Sequence, residues 1–203
     1  MRNIASFFSS VFNPLLLPTY GVFLVLWVSI LCYLPVGSRL TVLLVIFGIT
    51  CILPMVLIAL LHNMRFITDK QLRTRQERWI PYIFATLCYV GAAFYLIHVH
   101  SPLWLTAFMW GAIASIVVAC VVNFFWKISA HATGIAGLVA LLFSLHNMGL
   151  AAFDIMWLIC LTIVFAGAVG SSRIALGHHT LGQVLAGYVN GVVCIYLAEL
   201  LFS

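Results

Sequence analysis

Long apolar runs are the feature that most constrains how this chain can fold. A helix needs about 20 mostly apolar residues to cross a bilayer core. Seven runs come close to this length or reach it, at about residues 14–33, 41–62, 79–99, 103–125, 132–147, 152–170 and 181–202. Backbone polar groups need internal partners in lipid, so such runs form helices. We expect one all-α domain over residues 1–203, a polytopic transmembrane helical bundle with six to seven spanning helices.

The balance of residue types excludes a water-soluble class. Of the 203 residues, 65% are hydrophobic and 6% are charged, whereas soluble domains have about 45–50% apolar and about 25% charged residues. The net charge of +5 comes from few, clustered cations, which favours a topology signal or an anionic ligand over nucleic acid. We therefore expect a multi-pass protein of the cell membrane, specifically a bacterial inner membrane, with no nucleic-acid partner.

Three polar islands interrupt the apolar sequence. They lie at Asp69–Pro81, Lys127–His131 and Ser171–Gln183. With seven crossings, the loops after the second, fourth and sixth helices lie on the same side of the membrane, and these loops contain the islands. Most loop Lys and Arg residues lie there too, which favours a cytoplasmic location for this side. The islands are therefore expected to converge into one pocket at one membrane surface.

The third island contains the most informative pair, Arg173 and His179, six residues apart. Ionisable side chains at membrane depth cost a few kcal/mol or more, so they are candidates for a functional site. Arg offers a fixed fork of donors that suits phosphate oxygens, and His can act as a nucleophile or a proton carrier. The pair therefore favours a site that handles phosphate.

Two of the islands carry a recognisable motif. The segment Ser172-Arg173-x5-His179 resembles the third signature of the type 2 phosphatidic acid phosphatase superfamily, which contains an Arg and a His at this spacing. The second island, Lys127-Ile-Ser-Ala-His, is similar to that family's Pro-Ser-Gly-His signature, with Ser129 and His131 in the matching places.

The first island matches the family only loosely. Arg78 and Pro81 resemble the Arg-Pro end of the first signature, which also has a Lys upstream. Here Gln71 stands at the Lys position and Lys70 lies one place away. Lys127, two residues before the second-signature Ser, is an alternative source of that cation. The resemblance thus covers three short motifs in the family's order, over about the last two-thirds of the chain.

The resemblance implies a phosphatase mechanism without a metal or another cofactor. His179 would attack phosphorus and form a phosphohistidine, and His131 would protonate the leaving oxygen. The phosphate would be held by Arg173, Ser129, Arg78 and Lys127. The expected substrate is a lipid phosphomonoester or diphosphate, of the polyprenyl diphosphate, phosphatidic acid or phosphatidylglycerol phosphate class. The short loops favour a lipid over a sugar phosphate.

Gln183 is the main departure from the family. The related enzymes have an Asp four residues after the nucleophilic His, on the same face of a helix. A Gln carbonyl can accept a hydrogen bond from His Nδ1, but it adds no negative charge. Gln183 would therefore orient His179 with weaker electrostatic support.

This departure leaves other classes of function open. One alternative is a non-catalytic protein that binds or flips phosphate-bearing lipids with a degenerate phosphatase site. Another is a bis-histidine haem protein or proton relay, because paired membrane histidines can bind haem. Phosphate release from a panel of lipid phosphates distinguishes the first alternative, and a visible absorbance spectrum distinguishes the second.

Overall fold

The structure is a computed structural model that describes residues 2–64 and 79–202. Helical elements account for nearly all of the ordered secondary structure in these ranges. They are α1 (Arg2–Val11), α2 (Leu17–Val28), a 3₁₀ turn (Ile30–Tyr33), α3 (Val36–Phe47), a π turn (Gly48–Ile52), α4 (Leu53–Asn63), α5 (Trp79–His98), α6 (Leu103–Asn123), α7 (Ala130–Asn147), α8 (Met156–Ala175) and α9 (Leu181–Phe202).

Six helical segments of the described ranges are long and apolar enough to cross a membrane. They are α5, α6, α7, α8, α9 and the continuous stretch Val36–Asn63, in which α3 and α4 are joined by the π turn. The predicted all-α bundle with six to seven spanning helices is confirmed, and the chain is a multi-pass membrane protein. Exposed Leu, Val, Ile and Phe side chains cover its outer surface, as expected where lipid replaces water.

The predicted first span, 14–33, is wrong as a single long helix. Its helical part, α2, has only 12 residues, and the chain leaves the helix at Ser29, whose backbone is extended. Ser29 pairs with Ala151 in an isolated antiparallel bridge. The side chain of Ser29 donates to the Val25 carbonyl at 2.7 Å, which competes with the regular helical pattern. The first strongly helical segment is instead α1, which the apolar-run criterion missed.

A proline explains the π turn between α3 and α4. Pro54 has no N–H, so it cannot donate to the carbonyl of Thr50 four residues earlier. The backbone widens here, and the Leu53 N–H donates to the Gly48 carbonyl five residues back. The Thr50 hydroxyl donates to the Ile46 carbonyl at 2.8 Å, so this polar side chain is satisfied within its own helix.

The core of the bundle forms where α7 and α9 approach closely. A Cβ on Gly187 would lie 2.7 Å from the Ser129 carbonyl oxygen, and one on Gly191 would overlap the Thr133 carbonyl. Small residues of this kind allow membrane helices to pack backbone to backbone. Further along α9, the buried Asn190 side chain donates to the Ser115 carbonyl of α6 at 2.9 Å. These contacts fix the start of α9, and with it the third polar island, beside the start of α7.

Helix direction places the second and third islands at the same end of the bundle. The Ser129 N–H donates to the Gln183 backbone carbonyl at 3.1 Å, which joins the two islands directly. At the opposite end, the Ile30 N–H donates to the Leu150 carbonyl at 2.9 Å. Of the first island, Asp69–Pro81, the structure describes only the end from Trp79 onward, and Arg78 lies outside the described residues.

Candidate functional site

The turn after α8 explains the spacing of Arg173 and His179. Gly177 has a positive φ of 68°, which an L side chain adopts only with strain. Its N–H donates to the Ile174 carbonyl at 2.9 Å, and the His178 N–H donates to the Arg173 carbonyl at 3.1 Å. These two bonds form a Schellman motif. The chain therefore folds back on the last turn of α8, and the His179 N–H also reaches the Arg173 carbonyl, at 3.3 Å.

A capping box orients His179 at the start of α9. The Thr180 N–H donates to Gln183 Oε1 at 3.3 Å, and the Gln183 N–H is 3.4 Å from Thr180 Oγ1. This reciprocal arrangement of Thr and Gln satisfies two N–H groups at a helix N-terminus. The same Oε1 lies 3.1 Å from Nδ1 of His179. The predicted contact between His179 and Gln183 is thus present, and Gln183 has a structural role beside it.

The second island begins α7. Ser129 is fully buried and is the N-cap of the helix, with its Oγ 3.4 Å from the Ala132 N–H. This cap accounts for a serine at that place, and Ser129 does not line the cavity described below. Lys127 does line it, and its Nζ donates to the His178 carbonyl at 3.1 Å. The ammonium group therefore also ties the second island to the third.

Ser9 of α1 joins two of the predicted site residues. Its Oγ accepts a hydrogen bond from Arg173 Nη1 at 2.6 Å. Nε2 of His131 lies 3.1 Å from the Ser9 carbonyl oxygen and 3.4 Å from its Oγ. Arg173 is 8% exposed, so this contact gives an acceptor to one N–H group of a guanidinium that is nearly out of solvent. A segment more than 120 residues away in sequence thus completes the site.

The acceptors around the two histidines place a ring hydrogen on a different nitrogen of each. Gln183 Oε1 accepts from the Thr180 backbone, so it is the amide oxygen, and Nδ1 of His179 must carry a hydrogen toward it. Neutral His179 then keeps its lone pair on Nε2. The Ser9 carbonyl can only accept, so Nε2 of His131 carries a hydrogen. One histidine presents a lone pair at Nε2, and the other presents a proton at Nε2.

These side chains line one cavity of about 920 Å³. Its polar end includes Lys127, His131, Arg173, His178 and His179, together with Ser6, Ser9, Ser10 and Asn13 from the N-terminal segment. Its inner end is lined by apolar side chains of α6, α7 and α9. The volume is at the upper end of the range of about 300–1,000 Å³ that is typical of small-molecule sites.

The structure therefore brings together most of the predicted site in its described part. His179, His131, Arg173 and Lys127 line the cavity, Gln183 supports His179, and Ser129 caps a helix behind them. Sequence reasoning missed the contribution of α1. A signal for it exists, because Ile4, Phe7, Phe8 and Val11 are spaced as one face of a helix, opposite Asn3, Ser6, Ser9 and Ser10. This pattern is typical of an amphipathic helix at a membrane interface.

The fold and the cavity together define a multi-pass helical membrane protein with a cationic, histidine-containing site at one end of its bundle. Comparison with models of known protein families, with curated proteins and with solved structures finds no match for the chain.

Proposed function

We propose that the chain is a membrane-embedded phosphatase that hydrolyses a lipid phosphomonoester or diphosphate. The observation that carries the proposal is a pair of histidines at one cavity, with a hydrogen on Nδ1 of His179 and on Nε2 of His131. A lone pair on His179 Nε2 suits a nucleophile, and His131, whose Nε2 carries a hydrogen, suits a general acid when its imidazole is cationic. The resemblance of both motifs to the type 2 phosphatidic acid phosphatase superfamily supports the same assignment of roles.

The reaction proceeds in two displacements at phosphorus. In the first, His179 Nε2 forms a bond to phosphorus, the bond from phosphorus to the leaving oxygen breaks, and a cationic His131 donates its Nε2 proton to that oxygen and becomes neutral. In the second, water attacks phosphorus, gives its proton to His131, and displaces His179. The products are inorganic phosphate and a lipid alcohol, or a lipid monophosphate if the substrate is a diphosphate.

Cations at the polar end support phosphate binding. The fork of donors on Arg173 suits two phosphate oxygens, and Lys127 adds a point charge. Developing charge on the transferred group is stabilised by such preorganised donors. Arg78 remains a prediction for the same role. Gln183 positions His179 by accepting from Nδ1, and this hydrogen bond strengthens when attack makes the imidazole cationic.

Phosphate release from a panel of lipids tests the proposal. The purified protein in nanodiscs is offered polyprenyl diphosphate, phosphatidic acid and phosphatidylglycerol phosphate, and inorganic phosphate is measured. We expect release from at least one lipid, and loss of release in His179→Ala. His146→Ala is the matched control, because His146 is exposed at the far end of α7, and it retains activity.

A second candidate is a non-catalytic protein that binds or flips phosphate-bearing lipids. Gln183 favours it, because a capping box fully explains this residue without catalysis. The two candidates differ in one measurement. Retained binding of a lipid phosphate without release from any member of the panel supports the binder and overturns the phosphatase.

A further inference from the structure

The cavity extends far into the bundle from its polar end. On α6 its wall runs from Ala119 to Phe108, and on α7 it runs from Ala130 to Leu138. At 1.5 Å per helical residue, these stretches correspond to about 16 Å and about 12 Å. A bilayer core is about 30 Å thick. The cavity therefore reaches about halfway across the membrane, much deeper than a phosphate group alone requires.

Away from the polar end most side chains of the wall are apolar, with Ser115 and Thr133 as polar members. Ala112, Gly134 and Gly137 line this inner part, and the side chains of Leu17 and Ile195 lie against the two glycines. A flexible hydrocarbon chain gains free energy from leaving water for such a surface, by about 0.8 kcal/mol for each methylene. The inner part thus matches the chain of a lipid whose phosphate lies between the histidines.

Three larger side chains close the inner end, namely Phe108, Leu138 and Ile195. Phe108 and Ile195 are 3% and 2% exposed, so both are almost fully buried by the residues around them. The Phe108 ring occupies the space that a side chain on Gly21 would fill. This places the backbone of α2 directly behind the ring.

Ile195 is held in the same way from two sides. A Cβ on Gly111 would lie 2.8 Å from the Ile195 Cα, and one on Gly137 would lie 3.2 Å from its Cγ1. Interiors packed at this density do not yield without a cost in free energy. The closed end therefore has a fixed position relative to the phosphate-binding residues.

We propose that the inner part of the cavity binds one hydrocarbon chain of the lipid phosphate, and that Phe108 and Ile195 set the longest chain that fits. The inference rests on the proposed function, because a phosphate group held by Arg173 and Lys127 fixes one end of the chain. Phe108 and Ile195 are then determinants of specificity, far from the reacting atoms.

Binding of n-alkyl phosphonates of increasing length tests this proposal. Their carbon–phosphorus bond resists the proposed hydrolysis, so affinity is measured without turnover, by calorimetry with protein-containing and empty nanodiscs. We expect the affinity to rise by about fourfold for each added methylene and to stop rising at one chain length. That length marks contact with the closed end. A steady rise with no such limit overturns the proposal.

Two variants change the limit in opposite directions. Phe108→Ala opens the closed end and moves the limit to longer chains, whereas Ala112→Leu fills the passage and moves it to shorter chains. Phe94→Ala is the matched control, since Phe94 is 59% exposed on the outer surface, and it leaves the limit unchanged. If Phe108→Ala does not fold, Ala112→Leu decides, and an unchanged limit in a folded Ala112→Leu protein overturns the proposal.

The same series separates this inference from the proposed function. A limit that moves as expected, with no phosphate release from any lipid ester, retains the chain-binding passage and overturns the phosphatase. Phosphate release with equal efficiency from short-chain and long-chain esters, in the original protein and in both variants, retains the phosphatase and overturns the role of Phe108 and Ile195.

Discussion

Replacing Gln183 with Glu tests the proposed nucleophile most directly. Glu has nearly the same shape as Gln, so its carboxylate can occupy the place from which Gln183 Oε1 now contacts His179 Nδ1 at 3.1 Å. Glu is also a normal partner of Thr in a capping box, and a negative charge is favourable at the N-terminus of α9. The variant therefore changes the charge beside His179 and keeps the local fold.

The size of the effect follows from Coulomb's law. Attack by Nε2 leaves the imidazole of His179 cationic, with the carboxylate about 4 Å from the charge. Two unit charges at this distance attract by about 1 kcal/mol in bulk water and by about 4 kcal/mol at an effective dielectric constant of 20. His179 is 7% exposed and Gln183 is half-buried. We therefore take about 2 kcal/mol, between these two limits, as the attraction between the carboxylate and the cationic imidazole. This stabilisation of the transition state corresponds to about a thirtyfold higher rate.

The assay is the turnover rate for phosphate release, measured in nanodiscs with saturating lipid substrate. We expect Gln183→Glu to raise this rate and His179→Ala, combined with it, to abolish the gain. Leu181→Glu is the matched control. Leu181 is 61% exposed, and its replacement by Glu adds the same charge to the same end of α9. A folded Gln183→Glu protein with an unchanged or lower rate refutes the proposed nucleophile. An equal gain in Leu181→Glu refutes the role of the specific contact.

The remaining predictions concern the support of the site and of the bundle. Ser9→Ala removes a hydroxyl that a phosphate must displace from Arg173, so we expect about fivefold tighter binding of an alkyl phosphonate; calorimetry showing weaker binding contradicts this. Arg173→Lys loses the fork of donors and should weaken the same binding by at least about tenfold, and equal affinity in the two proteins would argue against a clamp. Gly191→Ala forces a Cβ against the Thr133 carbonyl and should lower the free energy of unfolding by about 1–3 kcal/mol, measured as a lower thermal unfolding temperature. Gly48→Ala is the control, because a Cβ there meets nothing within 4 Å, and it should change the unfolding temperature much less.

Apolar run length predicted most of the bundle because the requirement for about 20 apolar residues is local in sequence. It failed between residues 14 and 33 because polar Ser29 ends α2 through its own backbone contacts. The same criterion passed over α1, whose helical signal lies in the alternation of polar and apolar faces. A pattern of 10 residues with one apolar face is recognised by its period and not by its mean hydropathy.

The site was predictable to the extent that it depends on short motifs and helix direction. The spacing from Arg173 to His179 and the contact from His179 to Gln183 are local, and both are present. The contact from Ser9 to Arg173 spans 164 residues, and its partners belong to helices whose packing is decided elsewhere. Ser129 was difficult for a different reason. A serine just before a helix can be a phosphate ligand or an N-cap, and a single sequence does not distinguish these two roles.

The position of Ser9 has a consequence for biosynthesis. Ser9 leaves the ribosome before Arg173, which follows 164 residues later, and this takes about 8–33 s at the usual rates of synthesis of about 5–20 residues per second. During this time, Ser9 lacks the hydrogen bond from Arg173 that it has in the finished protein. A nascent chain interrupted before α8 has the N-terminal helix and most of the spans, but it has neither Arg173 nor His179. Synthesis as far as His179 is therefore a precondition for the proposed activity at this site.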